Sequence, residues 1–221
     1  MLVIIQARLS SERFKNKILF PIYGKPLIGH VINKLKKSDK IKKIIVATST
    51  HKSDDKLIKY LKDINIEYYR GKLKNVAHRF LNLAIKKKVK YFLRINGDSP
   101  LIDYKIVERA IKILNRKKQY HIITNVFPRT FPKGQSVEII KTEILKNNIG
   151  SFNNFEKEHM TQYFYRNHKN FKIKNFTFKN AKKIIKLSID TKNDLNNIIK
   201  KFSKNKFENF QLKKWKLKLQ L

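Results

Sequence analysis

Through the first half of the chain, short apolar runs alternate with longer segments whose apolar residues recur every three or four positions. "LVII", "KKIIVATST", "IEYY", "YFLRIN" and "YHIITN" have the length and composition of buried strands. Between them, "KPLIGHVINKLKKS", "SDDKLIKYLKD", "NVAHRFLNLAIKKK" and "DYKIVERAIKILNRKK" read as helices. In the first helix Leu27, Ile28, Val31, Ile32 and Leu35 form one stripe, with Pro26 suited to the opening turn. Ser53 and Asp103 are the expected caps of the second and fourth. Strands separated by helices of this length need crossover connections. The expected fold class is therefore α/β, a mostly parallel, doubly wound sheet with helices on both faces.

The second half is less regular and predicts a small irregular α+β extension. "SVEIIKTEIL" reads as a strand running into a helix, "FKIKNFTF" and "KKIIKLSI" as strands, "EKEHMTQYFYRN" and "TKNDLNNIIKKFS" as helices. The tail "KKWKLKLQL" sets Trp215, Leu217, Leu219 and Leu221 against Lys214, Lys216, Lys218 and Gln220, the pattern of a strand with one packed face. Neither a repeat nor a linker divides residues 1–221, so one domain is expected.

Composition narrows the function classes. Without cysteine there is no disulfide and no thiolate metal site. The N-terminal apolar run is too short for a signal peptide or a membrane span, and a cytoplasmic protein is expected. A formal charge of +36 suggests nucleic acid, but lysine outnumbers arginine 43 to 9 and is spread from end to end. A dedicated nucleic-acid binder clusters arginine and interleaves aromatics for stacking, so neither nucleic acid nor membrane is an expected partner. The charge does favour anionic ligands.

In an open parallel sheet, ligands bind beyond the carboxyl ends of the strands where the strand order reverses. Three polar features fall at such ends. In "QARLSSERFKNK", after the first strand, Arg8, Arg13 and Lys17 can neutralise phosphates while Ser10 and Ser11 donate hydrogen bonds. The same pattern is also that of a solvated charge run, which Lys15 fits well. Asp98 lies in a Gly97-Asp98-Ser99-Pro100 turn, suited either to Mg²⁺ ligation or to a simple cap. Asp190 precedes "TKNDL", where Thr191 and Asp194 form a capping box and leave Asp190 free to face a crevice. Two carboxylates from separate strand ends can share one metal. The histidines show no metal-ligand spacing, and His159 alone sits in a polar, partly acidic cluster.

With these residues placed, the chain resembles the cytidylyltransferase family, in particular its spore coat polysaccharide biosynthesis protein F branch. That branch is similar to acylneuraminate and 3-deoxy-manno-octulosonate cytidylyltransferases. The matching segments run in the family's order: "IIQARLSSERFKNKIL", "GKPLIGHVI", "VATST", "YRGKLKNVAHRF", "RINGDSPLID", "FPKGQSVEII", "EKEHMTQYFY" and "LSIDTKNDL". The resemblance implies CTP as nucleotide, an acidic or related sugar as acceptor, a divalent cation such as Mg²⁺, and a homodimer. It implies that Arg8, Ser11, Arg13 and Lys17 hold the nucleotide's phosphates, with Gln6 and Ala7 also in the nucleotide site. Gly71, Arg79 and Gly97 would lie near the nucleotide, and Arg79 would touch base or ribose. By the same likeness Asp98 and Asp190 hold the metal, Lys17 and Arg13 join them in catalysis, and Glu138 and His159 face the sugar. Lys15 and Asn16 stand where the family commonly has proline and glycine, and Asn75 replaces a common acidic residue. Relatives often carry proline where Gln162 and Lys192 stand.

Two other enzyme classes fit less well. A glycosyltransferase generally carries a D-x-D metal motif, which "GDSPLID" lacks, and a different nucleotidyltransferase opens on a glycine-rich G-x-G-T-R loop, which "QARLSSER" lacks.

Overall fold

A computed structural model describes residues 1–117, 119–178 and 186–212. In chain order the strands are β1 (Leu2–Gln6), β2 (Pro21–Ile22), β3 (Lys25–Pro26), β4 (Lys43–Ser49), β5 (Glu67–Gly71), β6 (Tyr91–Asn96), β7 (Ile122–Thr124), β8 (Glu138–Lys141) and β9 (Ile173–Asn175). The helices are α1 (Leu27–Leu35), α2 (Asp55–Asp63), α3 (Val76–Lys86), α4 (Tyr104–Arg116), α5 (Thr142–Asn148), α6 (Asn154–Glu158), α7 (Thr161–Arg166), α8 (Lys192–Lys201) and α9 (Lys204–Glu208).

Seven strands form one sheet in the order β5-β4-β1-β6-β8-β7-β9, and β2 pairs with β3 in a separate small ribbon. β1 runs parallel to both β4 and β6, and β4 parallel to β5. β8 is antiparallel to both of its neighbours, and β9 is again parallel to β7. The sheet is thus mostly parallel, as the strand–helix alternation requires.

Period-two alternation feeds two cores. Val3 and Ile5 of β1 pack with Leu27 and Val31 of α1, Leu57 of α2 and Ile106 of α4. Leu2 and Ile4 face the other way, onto Phe80 of α3, Leu145 of α5 and Phe164 of α7. A central strand buried on both faces reads as an unbroken apolar run, which is what "LVII" is.

The structure redraws several expected boundaries. Ser53 does not cap α2; Asp54 stands at that position, while the His51 side chain accepts from the Ser53 amide in the preceding 3-10 turn. Asp103 caps α4 as expected, accepting from the Lys105 amide. "EKEHMTQYFYRN" is two helices, because His159 leaves helical geometry at φ −115°, ψ 62°. "FKIKNFTF" pairs only over Ile173–Asn175. In "KKIIKLSI", residues 182–185 lie outside the described residues, and Lys186–Ile189 is irregular backbone rather than strand. The alternating tail, residues 213–221, also lies outside them.

Candidate active site

The strand order reverses between β1 and β6, where Gln6 and Asn96 stand side by side in register. Both chains leave the sheet there, β1 into the loop starting at Ala7 and β6 into the turn at Gly97. A Cβ on Gly97 would lie 2.9 Å from the Gln6 carbonyl oxygen, so glycine lets the two exits touch.

The loop after β1 is organised around Leu9. Its side chain is buried, and its carbonyl accepts from the Ser11 amide at 2.9 Å and the Asn16 amide at 3.2 Å. Its own amide donates to Asp54 Oδ1 at 2.7 Å. Phe14 is buried with the core, so the loop is anchored by apolar contact as well. Asn16 takes φ 58°, ψ 16°, the left-handed conformation that asparagine tolerates better than most residues. That turn delivers Lys17 inward, where it is only 8% exposed. Lys15 and Asn16 stay outside, on the wall of an adjoining cavity of about 840 Å³.

Lys17 Nζ donates to Asp98 Oδ2 at 3.0 Å, to Asp190 Oδ1 at 3.3 Å and to the Ile189 carbonyl at 2.9 Å. Asp98 follows directly from β6. Asp190 arrives on the irregular segment after Lys186, which is held by Leu187 N–H donating to Lys133 O at 2.7 Å and Ile189 N–H to Asp98 O at 3.0 Å. That segment crosses Gly134, whose φ is +95° and whose added Cβ would stand 2.5 Å from the Leu187 carbonyl carbon. Arg13 also reaches Asp190, at 3.5 Å, and Lys186 binds both Asp190 (2.9 Å) and Asp194 (2.6 Å). Partial burial pushes the Asp190 carboxyl up, but Lys186 and Lys17 outweigh it and hold the group below the usual aspartate range. Asp194 completes the expected capping box with Thr191.

A cavity of about 570 Å³ gathers Gln6, Ala7, Arg8, Ser11, Arg13, Lys17, Asp98, His159 and Asp190 on one wall system. Ser10 also lines it, and Ser10 Oγ is buried without a hydrogen-bond partner. Arg8 is paired with Glu158 at 2.7 Å, which ties the loop to the end of α6. Burial lowers the His159 imidazole pKa; Glu158 opposes this, while Arg94 and Arg8 add to it.

Four expected residues are not on that lining: Gly97, which packs against Gln6 and Ala7 beneath it, and Glu138, Gly71 and Arg79. Glu138 is 3% exposed and lies behind the wall, with one oxygen paired to Arg94 and the other accepting from the Tyr165 hydroxyl at 2.6 Å. Instead of facing the cavity, as the resemblance implied, it holds Arg94, which does face it and also donates to Gln6 Oε1 at 3.0 Å. Gly71 and Arg79 line a separate hollow of about 320 Å³ with Asn75 and His78. Arg79 is 2% exposed and reaches only the Leu73 carbonyl, at 3.5 Å, leaving Nε and Nη1 buried without partners. Burial brings its pKa down to about 10, against the pull of Asp54. Asn75 caps α3 by accepting from the His78 amide.

Comparisons with known proteins bear on the family and the fold. A family profile described as cytidylyltransferase matches residues 2–214. The chain belongs to the cytidylyltransferase family. It is 27% identical over 175 residues to the spore coat polysaccharide biosynthesis protein SpsF of Bacillus subtilis, covering 76% of this chain and 70% of that one. A cytidylyltransferase structure from Leptospira borgpetersenii superposes with a TM-score of 0.87 at 28% identity, covering 95% of this chain and 89% of that one. A CMP:2-keto-3-deoxy-manno-octonic acid synthetase complexed with CTP shares the fold at a TM-score of 0.68 and 14% identity, covering 89% of this chain and 95% of that one. As a member of this family the protein is a nucleotidyltransferase.

This cytidylyltransferase brings to its cavity residues that the sequence did not single out. Arg94 and Asn96 line it, and Glu158 closes one side. The signal for Arg94 was a lone cation inside a buried strand, "YFLRIN", where only a partnered charge is tolerated. Glu158 carried no signal, since its position depends on where α6 ends. The donor set also suits a hard divalent cation. Asp98 and Asp190 already direct one oxygen each at a single ammonium group, and Mg²⁺ prefers such oxygens completed by phosphate and water. Among the described residues no group of three or more His, Cys, Asp or Glu could hold a metal alone. No helix among them is long and apolar enough to cross a membrane.

Proposed function

We propose that the protein transfers CMP from CTP to a hydroxyl of an acidic or related sugar, releasing pyrophosphate, in the synthesis of a surface polysaccharide. The observation that carries this is the convergence of Lys17, Asp98 and Asp190 with the Arg8–Arg13 loop in one cavity at the switch point of the sheet. The unpaired Ser10 hydroxyl and the loop cations suit a triphosphate. The two relatives named for sugar-acid or polysaccharide chemistry support the choice of acceptor.

In this reading the loop and Lys17 align the triphosphate so that the acceptor oxygen meets the α-phosphorus in line with the leaving pyrophosphate. The gain comes from alignment and from cationic groups placed where charge develops. Asp98 and Asp190 would hold Mg²⁺, which when bound neutralises phosphate charge. Lys17, at the head of the same cavity, would donate its ammonium to phosphate oxygens. Arg94, fixed by Glu138 and Gln6, and His159 present polar edges to the sugar.

Calorimetric titration with CTP and Mg²⁺ tests the assignment. Wild-type protein should bind CTP at micromolar concentration and lose at least tenfold in affinity when Asp98→Asn removes a carboxylate. Equal binding in the two proteins would take Asp98 out of the site.

A further inference from the structure

One carboxylate close to the site has no part in the chemistry described so far. Asp54 is fully buried at the start of α2, beyond the carboxyl end of β4. Its Oδ2 accepts from the Ser49 amide at 3.0 Å, from the Thr48 hydroxyl at 2.8 Å and from the Ser49 hydroxyl. Its Oδ1 accepts from a single donor, the Leu9 amide at 2.7 Å, across 45 residues of chain. Leu9 is the residue on which the loop folds back, since its carbonyl gathers the amides of Ser11 and Asn16.

We infer that Asp54 is the positioning residue of the phosphate loop: by pinning the Leu9 amide to the end of β4 it fixes where Ser10, Ser11 and Lys17 stand. This rests on the reading of that loop as the triphosphate site. The loop's inner hydrogen bonds fold it onto Leu9 but do not tie Leu9 to the sheet. Its flanking tie, Ala7 N–H to the Ala47 carbonyl at 3.2 Å, stops two residues earlier. From there to the buried Phe14, the side chains of Arg8 and Arg13 pair with Glu158 and Asp190, but the Asp54 contact is what ties the loop's own backbone to the end of β4. A carboxylate suits the place because it is acceptor-only, and each of its oxygens here receives a backbone N–H. Asparagine cannot do the same: its NH₂ must face either Leu9 N–H or Ser49 N–H. The hydroxyls of Thr48 and Ser49 reward the orientation that keeps the carbonyl oxygen on their side. Asp54→Asn therefore loosens the loop selectively. Thr48→Val removes one bond from the same knot and leaves the Leu9 pin in place.

The experiment reads hydrogen exchange at Leu9 and binding of inorganic triphosphate to the intact protein. In the wild type, the Leu9 amide should exchange at least a hundredfold more slowly than those of the exposed loop residues Glu12 and Arg13. Asp54→Asn should abolish that protection and weaken triphosphate at least tenfold, whereas Thr48→Val should stay within twofold of the wild type. Leu9 exchanging as fast as its exposed neighbours in the wild type overturns the inference without need of any variant. So does Asp54→Asn protein that binds triphosphate normally, or Thr48→Val protein that is weakened as much. A wild type that binds no triphosphate at all sinks the phosphate-loop reading and the inference with it.

Discussion

The two aspartates that face Lys17 reach it by different routes. Asp98 stands two residues beyond β6, and the pairing of β6 with β1 sets its place before any other part of the site is considered. Asp190 belongs to a segment with no strand pairing, secured by the Lys133 and Asp98 carbonyls and by close passage over Gly134. One carboxylate is placed by sheet register and the other by a few long-range contacts. The site is therefore rigid on the β1/β6 side and separable from the fold on the Asp190 side. A perturbation there can remove activity while leaving most of the core intact.

Lys17→Ala breaks both sides at once, because it deletes the cation they share, and should have the largest effect. We expect a loss of about 10²–10³-fold in kcat. Circular dichroism should remain that of the wild type. Turnover within threefold of the wild type would remove Lys17 from the reaction.

Gly134→Ala strikes only the long-range side. The new methyl would press on the backbone at Leu187 in a conformation that L side chains rarely adopt. Expected are a stability loss of about 2–3 kcal/mol in urea unfolding and about a hundredfold fall in turnover. Faster amide exchange should be confined to Leu187 and Ile189. If exchange rose equally along β1 and β6, the two routes would not be independent.

Asp194→Ala is milder. It removes the capping box of α8 and one partner of Lys186, and should cost about 1 kcal/mol of stability. Turnover should fall only a few-fold, since Asp190 keeps Lys17 and Lys186. A loss as large as that of Gly134→Ala would mean that the capping box, and not Gly134, places Asp190.

The smallest effect concerns a group remote from both aspartates. Lys34 is buried and donates to the carbonyls of Glu208 and Phe210, and burial brings its pKa down from 10.5 to about 8. The folded state thus releases a proton that the unfolded chain still holds between those values. Its contribution to stability should rise as pH increases from about 8 toward 10.5 and stay flat below 8. Lys34→Met should flatten that slope in thermal unfolding without changing turnover. An unchanged slope would refute the assignment.

The same contrast explains what could be read in the sequence. The strand and helix runs up to residue 117 are long and periodic, and local pattern alone places β1, β4, β6, α1, α3 and α4. Lys17 and Asp98 follow from them because each lies just past a strand end. Asp190 was read as following a strand end, but "KLSI" is held by Gly134 and Lys133 rather than by a ladder. Glu138 was read as facing the sugar, yet its burial against Arg94 and Tyr165 depends on β8 running antiparallel between β6 and β7, which no local pattern encodes. Asp54 was hidden for a similar reason. In "HKSDDKL" it looks like the start of a helix, and only the folded chain brings Leu9 to it.

The central claim is that this site moves a cytidylyl group. It is tested most directly by pyrophosphate release from CTP, ATP, GTP and UTP with Mg²⁺ and a panel of sugar acids. The account predicts release that needs both CTP and one sugar acid, matched mole for mole by a CMP-sugar. Release that is equal for all four nucleotides, or none with CTP and any acceptor in folded protein that binds it, would contradict the claim.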